Sequence, residues 1–255
     1  MTKLNHRLIN DVFRGPVYGQ HDIFTAPSWA RFVKQNDLDL SRALFVEDDR
    51  RVVGTIAFAQ RGMRAWLSVM GVLPEYRRRG YGRRLFAGAV NAVRASGARA
   101  IEFEVVQRNE HARRMYESYG FRIVDELFVW SRKAKRVDDT LVYKRRTLAS
   151  VRAIARDPVT CWQRDPIAVS RAAESALIEV EGAYAFVLKR NGNALLLDAG
   201  ARDDVSARAL LAQLDARVPY DITLLNEPSA SPLTTPLEDA GWRVVNRQFR
   251  MMDAT

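Results

Sequence analysis

The residues best suited to chemistry in this sequence lie in one short turn, Arg77-Arg-Arg-Gly80-Tyr-Gly82. A run of β-type residues ends before Pro74 and apolar residues at helical spacing begin at Leu85, so the pattern predicts a strand, a glycine loop and a helix. The first turn of a helix presents unpaired backbone amides and the positive end of the helix dipole. Glycines let a ligand approach that backbone, and arginines crowded there are favourable when an anion is bound. The turn therefore predicts a site for a phosphate-rich ligand.

Two common phosphate-binding motifs do not fit this turn. A Walker loop requires Gly-Lys-Ser/Thr, and that lysine is absent. A dinucleotide-binding loop, Gly-x-Gly-x-x-Gly/Ala, requires a small residue where Leu85 stands, although Glu102 lies at a suitable distance downstream. An arginine-rich surface turn before an ordinary helix is a further interpretation, and the turn alone does not decide between them.

A second motif follows the first, after a predicted helix and a predicted strand. Residues 100–106 are β-type, and strand, crossover helix and strand predict a parallel pair with a right-handed connection. Asn109 is a good N-cap for the next helix, which Gly120 ends, and Ala112 and Tyr116 lie on one face of it. If the two parallel strands splay apart, they leave a slot for an extended ligand.

Together the two motifs carry a resemblance to a known family. Val72-Leu-Pro-Glu-Tyr-Arg77-Arg-Arg-Gly80-Tyr-Gly82 resembles the acyl-CoA pyrophosphate loop of the GCN5-related N-acetyltransferase (GNAT) superfamily, and Asn-x-x-Ala-x-x-x-Tyr-x-x-x-Gly-Phe at 109–121 is similar to its later helix motif. The resemblance implies an α/β fold with a mixed sheet of α+β type, the acyl-CoA N-acyltransferase fold.

The same resemblance implies acetyl-CoA as the co-substrate. Its pyrophosphate would lie on residues 78–83, and the strand before the turn would pair with its pantetheine arm. The implied cofactor-binding residues are Met70, Gly71, Val72, Arg77, Arg78, Arg79, Gly80, Tyr81, Gly82, Arg83 and Asn109.

The reaction implied by the resemblance is attack of an amine on a thioester. The family's tyrosine at the position of Tyr116 faces the thioester sulfur, so Tyr116 is the predicted acid, and a backbone amide near Gly71 or Val72 would meet the oxyanion. An ammonium acceptor with a pKa of about 10 must first lose a proton. Glu102 and Glu104 share one strand face by their spacing. We predict Glu104 as the base because it is nearer the end of the strand where ligands bind, and a water relay is the open alternative.

Residues 1–40 have the weakest pattern in the chain. Leu8 to Phe13 is predicted as a first strand, and Ser28 as the N-cap of a helix. In the resembling family this segment roofs the acceptor site, so four residues are candidate substrate contacts, with packing the expected role for the last of them: Tyr18, His21, Asp22 and Trp29. The next segment, Leu44 to Phe58, predicts a hairpin around a charged turn at Asp48 to Arg51.

Residues 148–255 repeat the second half of this plan in a weaker form. Asn191-Gly192-Asn193 predicts a hairpin turn, and Asp203 or Asp204 a helix cap. At the place of the phosphate loop stands Gly200-Ala-Arg-Asp-Asp204, whose two acids disfavour phosphate. We therefore predict two GNAT-like lobes in tandem: a catalytic domain over 1–147, and a degenerate GNAT-like domain over 148–255 without a pyrophosphate loop. Trp162 is predicted as a core or lobe-interface anchor.

Composition excludes several other classes of protein. The 255 residues include one cysteine and three scattered histidines, so we expect neither a disulfide nor a metal site. The net charge of +10 is spread along the chain, so nucleic acid is not an expected partner, although the runs at 132–136 and 144–146 are basic. No run approaches the roughly 18 apolar residues of a membrane span, and residues 1–16 lack the apolar region of a signal peptide. A cytoplasmic location without a membrane is expected.

The sequence thus predicts an acetyl-CoA-dependent N-acetyltransferase that acts as a monomer or homodimer. It would move an acetyl group to the primary amine of a small molecule by direct attack in a ternary complex. Two alternatives stay open. One is a protein or peptide N-acetyltransferase, which needs an open acceptor groove. The other is a non-catalytic CoA-sensing or nucleic-acid-binding module.

Overall fold

The computed structural model describes residues 4–135, 161–172, 175–190 and 192–253. Two compact units make up the chain: Met1–Val124 with Phe249–Thr255, and Asp125–Gln248. The domain boundary predicted after residue 147 and the basic run at 144–146 lie outside the described residues. Across the described ranges, no helix is long and apolar enough to cross a membrane.

The first unit is built from four helices and a sheet. Its elements are α1 (His6–Phe13), α2 (Ala26–Asn36), β1 (Leu44–Asp48), β2 (Arg51–Arg61), β3 (Arg64–Val72), α3 (Tyr81–Ala95), β4 (Ala100–Val106), α4 (Glu110–Glu117), the start of β5 (Phe121–Arg132) and the end of β10 (Arg243–Asp253). Strands β1 and β2 pair antiparallel, which confirms the predicted hairpin, and β3 pairs antiparallel with β2 to extend it to a three-stranded meander. Its predicted turn is formed by Asp49 and Arg50, both with positive φ.

The first segment of the chain differs from its prediction. The strand predicted at Leu8 to Phe13 is wrong, because these residues belong to helix α1. Asn5 caps this helix by accepting hydrogen bonds from the amides of Arg7 and Leu8, and Ile9 and Val12 are buried on one face at helical spacing. Eight residues are too few for their apolar spacing to separate helix from strand.

Helix α2 begins one turn before its predicted cap. Thr25 is the N-cap, and Ser28 is its partner in a capping box: the Ser28 amide donates to Thr25 Oγ1 at 3.3 Å, while Ser28 Oγ accepts from the Thr25 amide at 2.9 Å. The predicted cap residue is therefore part of the cap motif, but it lies inside the helix.

The feature of the first unit that matters most for a ligand is the short pairing of β3 with β4. These strands are parallel, as predicted, and are paired at Arg64 with Ala100, Ala65 with Ile101, and Trp66 with Glu102. Beyond Trp66 and Glu102 the register ends, although both strands continue for several residues. One face of this sheet is covered by α3, which buries five apolar side chains: Leu85, Phe86, Ala89, Val90 and Val93.

The second unit repeats this order of elements. Its elements are α5 (Pro166–Ser170), β6 (Ser175–Val180), β7 (Ala183–Arg190), β8 (Asn193–Ala201), α6 (Asp204–Arg217), β9 (Asp221–Pro228) and α7 (Thr234–Asp239), with parts of β5 and β10. Strands β6, β7 and β8 form an antiparallel meander, and β8 is parallel to β9. Asp203 is the N-cap of α6, as predicted. Asn191 of the predicted turn lies outside the described residues.

Strands β8 and β9 also separate after a short paired stretch, but here the side chain of Arg164 lies between them. Their register ends at Leu196 and Leu224. The guanidinium of Arg164 donates to the carbonyl oxygens of Ala199 on β8 (2.6 Å) and Asn226 on β9 (3.2 Å). Arg164 and the neighbouring Trp162 are both buried.

Two carboxylates complete the surroundings of this arginine. Arg164 Nε donates to Asp198 Oδ1 at 2.8 Å, and Nη1 donates to Glu227 Oε2 at 2.6 Å. Tyr184 Oη donates to the other oxygen of Asp198 at 2.9 Å. All four side chains are buried, so each acid depends on its partners in place of water.

We expect Arg164→Met to destabilise the protein, because it leaves the buried carboxylates of Asp198 and Glu227 without their cation. Removing one partner from a buried ion pair costs about 3–5 kcal/mol in the free energy of unfolding. The matched control is Arg208→Met, since Arg208 pairs with Asp239 at 2.6 Å with both side chains half exposed. That control should cost no more than about 1 kcal/mol. Equal losses for the two variants in urea unfolding would contradict the assignment.

Candidate active site

A cavity of about 380 Å³ lies in the first unit where β3 and β4 separate. Its wall includes Ser68 and Met70 to Val72 of β3, and Glu104 and Val105 of β4. The Leu73 amide donates to the Val53 carbonyl of β2 at 2.8 Å. Because amides alternate in direction along a strand, those of Val72 and Met70 point away from β2, into the cavity. The wall of the slot thus presents backbone donors to a ligand.

Strand β3 has an irregularity beside this slot. Its register with β2 shifts between Leu67 and Met70, so Ser68 and Val69 form a bulge against Ala57. The bulge therefore precedes Gly71 and Val72, near which the resemblance implies an amide for the oxyanion. Gly71 itself is required by packing, since a Cβ there would lie 2.7 Å from Val12 Cγ2 of helix α1.

The predicted phosphate loop joins β3 to α3 and bends through two residues of positive φ. Arg78 has φ 66° and Gly80, the N-cap of α3, has φ 84°. The first backbone bond of the helix runs from Arg84 N–H to the Gly80 carbonyl at 3.2 Å, so the amides before it have no partner within the helix. A Cβ on Gly80 would meet nothing within 4 Å, and one on Gly82 would meet Met70 Cε at 3.6 Å. This open helix start is suited to an anion.

The arginines of the loop have different roles. Arg77 Nε donates to the Val72 carbonyl at 3.0 Å, and its Nη2 donates to the carbonyls of Val12 (3.2 Å) and Arg14 (2.5 Å). Burial lowers the pKa of the Arg77 side chain, yet an arginine stays charged at neutral pH. Arg77 therefore ties the end of α1 to the end of β3.

The other arginines lie further out. Arg79 lies 3.6 Å from Asp48 and over the ring of Tyr76 at 5.1 Å. Arg83 Nη1 donates to Ser118 Oγ at 3.2 Å. Arg78 is exposed and its side chain has no hydrogen bond or ion pair with any described residue. Arg78 is thus available to bind an external anion.

Glu104 has two oxygens in different surroundings. Oε2 accepts a hydrogen bond from Trp66 Nε1 at 2.8 Å, whereas Oε1 is buried and has no hydrogen-bond partner among the residues the structure describes. Burial raises the pKa of the Glu104 carboxyl to about 7; the Trp66 hydrogen bond opposes this rise and the charge of Glu102 adds to it. Glu104 lines the cavity, so a carboxyl that titrates near neutrality faces the space for a ligand.

Glu102, the other carboxyl on this strand face, is engaged by cations. Arg64 Nη2 lies 2.5 Å from Oε1, and Arg250 Nη1 lies 3.3 Å from Oε2. Its side chain is buried and does not line the cavity. Of the two carboxylates on this strand face, only Glu104 lines the cavity.

Tyr116 on α4 lines the same cavity, and its ring packs against two phenylalanine rings. Its ring lies 4.7 Å from Phe86 and 4.5 Å from Phe103, and its hydroxyl lies 3.9 Å from Met70 Sδ. Burial raises the pKa of Tyr116 well above its usual value, so the hydroxyl keeps its proton at neutral pH. Asn109, which caps α4 by accepting from the Ala112 amide at 3.3 Å, also lines the cavity.

The segment between α1 and α2 forms another part of the cavity wall. Gly15 and Gly19 exchange backbone hydrogen bonds of 2.9 and 2.7 Å, and the loop they close carries Tyr18 into the lining. Of the candidate substrate contacts, His21 and Asp22 are exposed and lie outside the lining. Trp29 is buried against Phe24, in agreement with its expected packing role.

One side chain that holds this segment was missed in the sequence. Asn10 Oδ1 accepts from the amides of Ile23 (3.0 Å) and Phe24 (2.9 Å), and its Nδ2 donates to the Phe24 carbonyl (2.8 Å). The available signal is a polar residue between the apolar Ile9 and Val12, which the prediction of a strand over Leu8 to Phe13 does not use.

The predicted catalytic and cofactor-binding residues come together here, whereas Tyr18 alone of the four candidate substrate contacts does so. Tyr116, Glu104 and every predicted cofactor-binding residue except Arg79 line the one cavity. Within the described ranges, no group of three His, Cys, Asp or Glu side chains could hold a metal ion.

Residues 8–121 match the model of the acetyltransferase (GNAT) family. The chain is 17% identical to a Pyrococcus horikoshii protein assigned as an acetyltransferase, with a TM-score of 0.66 over 98% of this chain and 84% of that one. It is 16% identical to a GCN5-related N-acetyltransferase from Sphaerobacter thermophilus, with a TM-score of 0.67 over 97% and 90%. No curated protein matches the sequence significantly.

A tandem protein is also among the similar structures. The chain is 14% identical to a tandem GNAT protein from the clavulanic acid biosynthesis pathway, with a TM-score of 0.58 over 90% of this chain and 88% of that one. Identities this low show the fold alone, and they confirm the predicted tandem acyl-CoA N-acyltransferase fold. The family model covers the residues that form the slot, the phosphate loop and α4, so the segment at residues 8–121 matches the acetyltransferase (GNAT) family.

Proposed function

We propose that the first unit is an acetyl-CoA-dependent N-acetyltransferase that transfers an acetyl group to the primary amine of a small molecule, by direct attack in a ternary complex. The observation that carries the proposal is one cavity lined by an open helix start, a strand wall with free amides, and the side chains of Glu104 and Tyr116. An anion site, an acid and a base in one place suit acyl transfer from a phosphate-bearing donor to an amine.

Binding of the donor is assigned to the backbone. The amides of Tyr81, Gly82 and Arg83 bind the pyrophosphate, since they lie at the start of α3 before its first internal bond, and Arg78 adds a free positive charge. The amides of Met70 and Val72 bind the pantetheine arm as an added strand would be bound. Arg77 holds the end of β3 in place for both contacts.

Acetyl-CoA supplies its acetyl group as a thioester, which an uncharged amine can attack. Glu104 Oε1 accepts the proton that the acceptor ammonium must lose. The Val72 amide stabilises charge on the carbonyl oxygen, and the Tyr116 hydroxyl, kept protonated by burial, gives its proton to the leaving sulfur.

A small acceptor is favoured by the roof of the cavity. Residues Val12 to Tyr18 contribute apolar and aromatic side chains to the lining, and the Gly15 and Gly19 hydrogen bonds hold this loop as one compact piece. A peptide would require an open groove there. One structural neighbour comes from the clavulanic acid biosynthesis pathway, which also concerns a small molecule. The proposal includes the cytoplasmic location expected from sequence.

An amine screen tests the proposal directly. The full chain is mixed with acetyl-CoA and with amino acids, amino sugars, polyamines or lysine-containing peptides, and release of the CoA thiol is followed. Amine-dependent release with a small molecule is the expected result. Release only with peptides would contradict the small-molecule acceptor, and no amine-dependent release would contradict the enzymatic function.

We expect Glu104→Gln to lower kcat/KM for the amine by about 10²-fold, because a general base contributes about that factor. In the wild type kcat/KM should rise with pH through about 7, the pKa to which burial raises the carboxyl, since the base acts only when ionised. This acid limb should be absent in Glu104→Gln.

The matched control is Glu102→Gln on the same strand. Its side chain pairs with Arg64 and Arg250, so the variant should have a lower melting temperature but keep the acid limb. If the two variants exchange these behaviours, Glu102 is the base and our assignment is wrong.

We expect Gly82→Asp to abolish binding of acetyl-CoA, because the new carboxylate repels the pyrophosphate at the start of α3. A ligand that binds the folded state raises the melting temperature, so acetyl-CoA should stabilise the wild type and leave Gly82→Asp unchanged. Gly82→Ala is the control: its methyl group fits beside Met70 at 3.6 Å, so some stabilisation should remain. If acetyl-CoA raises the melting temperature of Gly82→Asp as much as that of the wild type, the pyrophosphate binds elsewhere.

A further inference from the structure

Trp66 binds the Glu104 carboxylate but takes no part in the acetyl transfer proposed above. Trp66 Nε1 donates to Oε2 at 2.8 Å, and an indole has a single N–H to donate. Oε1 is buried without a hydrogen-bond partner in the described part of the chain. The indole therefore makes the two oxygens inequivalent and leaves Oε1 for the substrate.

Trp66 is itself fixed in position. It is the last residue of β3 that is paired with β4, at the point where the slot opens, and only 2% of it is exposed. Its ring lies 6.1 Å from Phe32 of α2, and Phe32 lies 5.9 Å from Trp29 and 5.0 Å from Phe24. An indole packed against an aromatic cluster cannot turn freely, so the direction of its N–H is fixed.

Other charged groups around Glu104 come from several elements. Glu102 on the same strand raises the pKa of Glu104, Arg250 on β10 lowers it, and Arg64 on β3 pairs with Glu102. The other titratable side chains of the cavity lining are Tyr18, Tyr76, Arg77, Arg78, Tyr81, Arg83, His111 and Tyr116. All of them remain when the indole of Trp66 is replaced, so a change in the titration of Glu104 would report the lost hydrogen bond.

We propose that Trp66 is a positioning residue of the acetyl-transfer site, whose indole N–H holds Oε2 of Glu104 and so directs Oε1 towards the acceptor amine. The inference rests on the proposed function, because it assigns the use of the Glu104 carboxylate as a base. Without the indole, the carboxylate is free to rotate. It also loses a donor that favours its charged form, so ionisation requires a higher pH.

The direct test is Trp66→Phe in the full chain, with glutamate labelled by ¹³C at the carboxyl carbon. The signal of Glu104 is the one missing from Glu104→Gln, and its titration is followed by NMR. The wild-type midpoint should lie at about 7. In Trp66→Phe it should rise by about one pH unit, the size expected for one hydrogen bond to a charged group. An unchanged midpoint would overturn the proposal.

The matched control is Trp130→Phe. Trp130 is also buried, but it belongs to the second unit, and its indole N–H has no hydrogen-bond partner within the described residues. The Glu104 midpoint in Trp130→Phe should equal that of the wild type. A shift of the same size in both tryptophan variants would also overturn the proposal, because it would then report general loosening of the protein.

A measurement on the indole itself keeps the test valid if Trp66→Phe fails to fold. With ¹⁵N-labelled tryptophan, the Nε1–H signal of Trp66 should titrate with the midpoint of Glu104 in the wild type. It should not titrate in Glu104→Gln. A Trp66 signal that ignores the ionisation of Glu104 would contradict the link.

Kinetics separate this proposal from the proposed function. In Trp66→Phe the acid limb of kcat/KM should move up by the same amount as the carboxyl midpoint, with the KM for acetyl-CoA unchanged. If the wild type transfers acetyl groups but the acid limb of Trp66→Phe lies at the same pH as that of the wild type, only the positioning role of Trp66 is overturned. A wild type without amine-dependent transfer would overturn the proposed function, whereas the carboxyl titration needs no substrate.

Discussion

The separation of β3 from β4 is the constraint on which the site depends. The strands are paired at three positions, up to Trp66 and Glu102, and then leave backbone amides of β3 without a partner in the sheet. Unpaired amides in a protein interior are costly, so the arrangement is stable only where a ligand or water can take their place. The loop that ends β3, the helix that it starts and the carboxylate on the far strand all face the same gap.

In the second unit the same separation is filled by the chain. Arg164 donates to one backbone carbonyl on each of the two parting strands and is neutralised by a carboxylate on each. The helix start differs as well. Asp203, the N-cap of α6, accepts from the Ser206 amide at 2.9 Å, and this hydrogen bond lowers the pKa of the Asp203 carboxyl. In the first unit the N-cap is Gly80, which has no side chain and leaves its amides open. The slot between the parallel strands is therefore open in the first unit, whereas in the second unit it is filled by the chain's own side chains.

Local patterns account for what the sequence could predict. The helix after Gly80, the strand at 100–106 and the cap at Asn109 follow from apolar spacing and capping residues, and the structure has them at nearly the predicted positions. The segment at Leu8 to Phe13 was assigned wrongly because a single buried face over so few residues fits either period.

Contacts between residues distant in the chain account for the rest. Glu104 was chosen by its place on a strand, but its perturbed pKa depends on burial and on Trp66, 38 residues earlier. The arginines of the loop look alike in sequence, yet Arg77 is bound to the carbonyls of Val12 and Arg14 at the end of α1, more than 60 residues away. The filling of the second slot by Arg164 depends on strands 34 and 62 residues further along the chain. No local pattern contains such information.

We propose that the chain has one acyl-CoA slot, in the first unit, because the second slot is filled by Arg164. Calorimetric titration of acetyl-CoA into the wild-type chain measures this directly, since it counts sites. We predict saturable binding with one acetyl-CoA per chain. Two sites per chain would contradict the filled second slot, and no binding would contradict the assignment of the first.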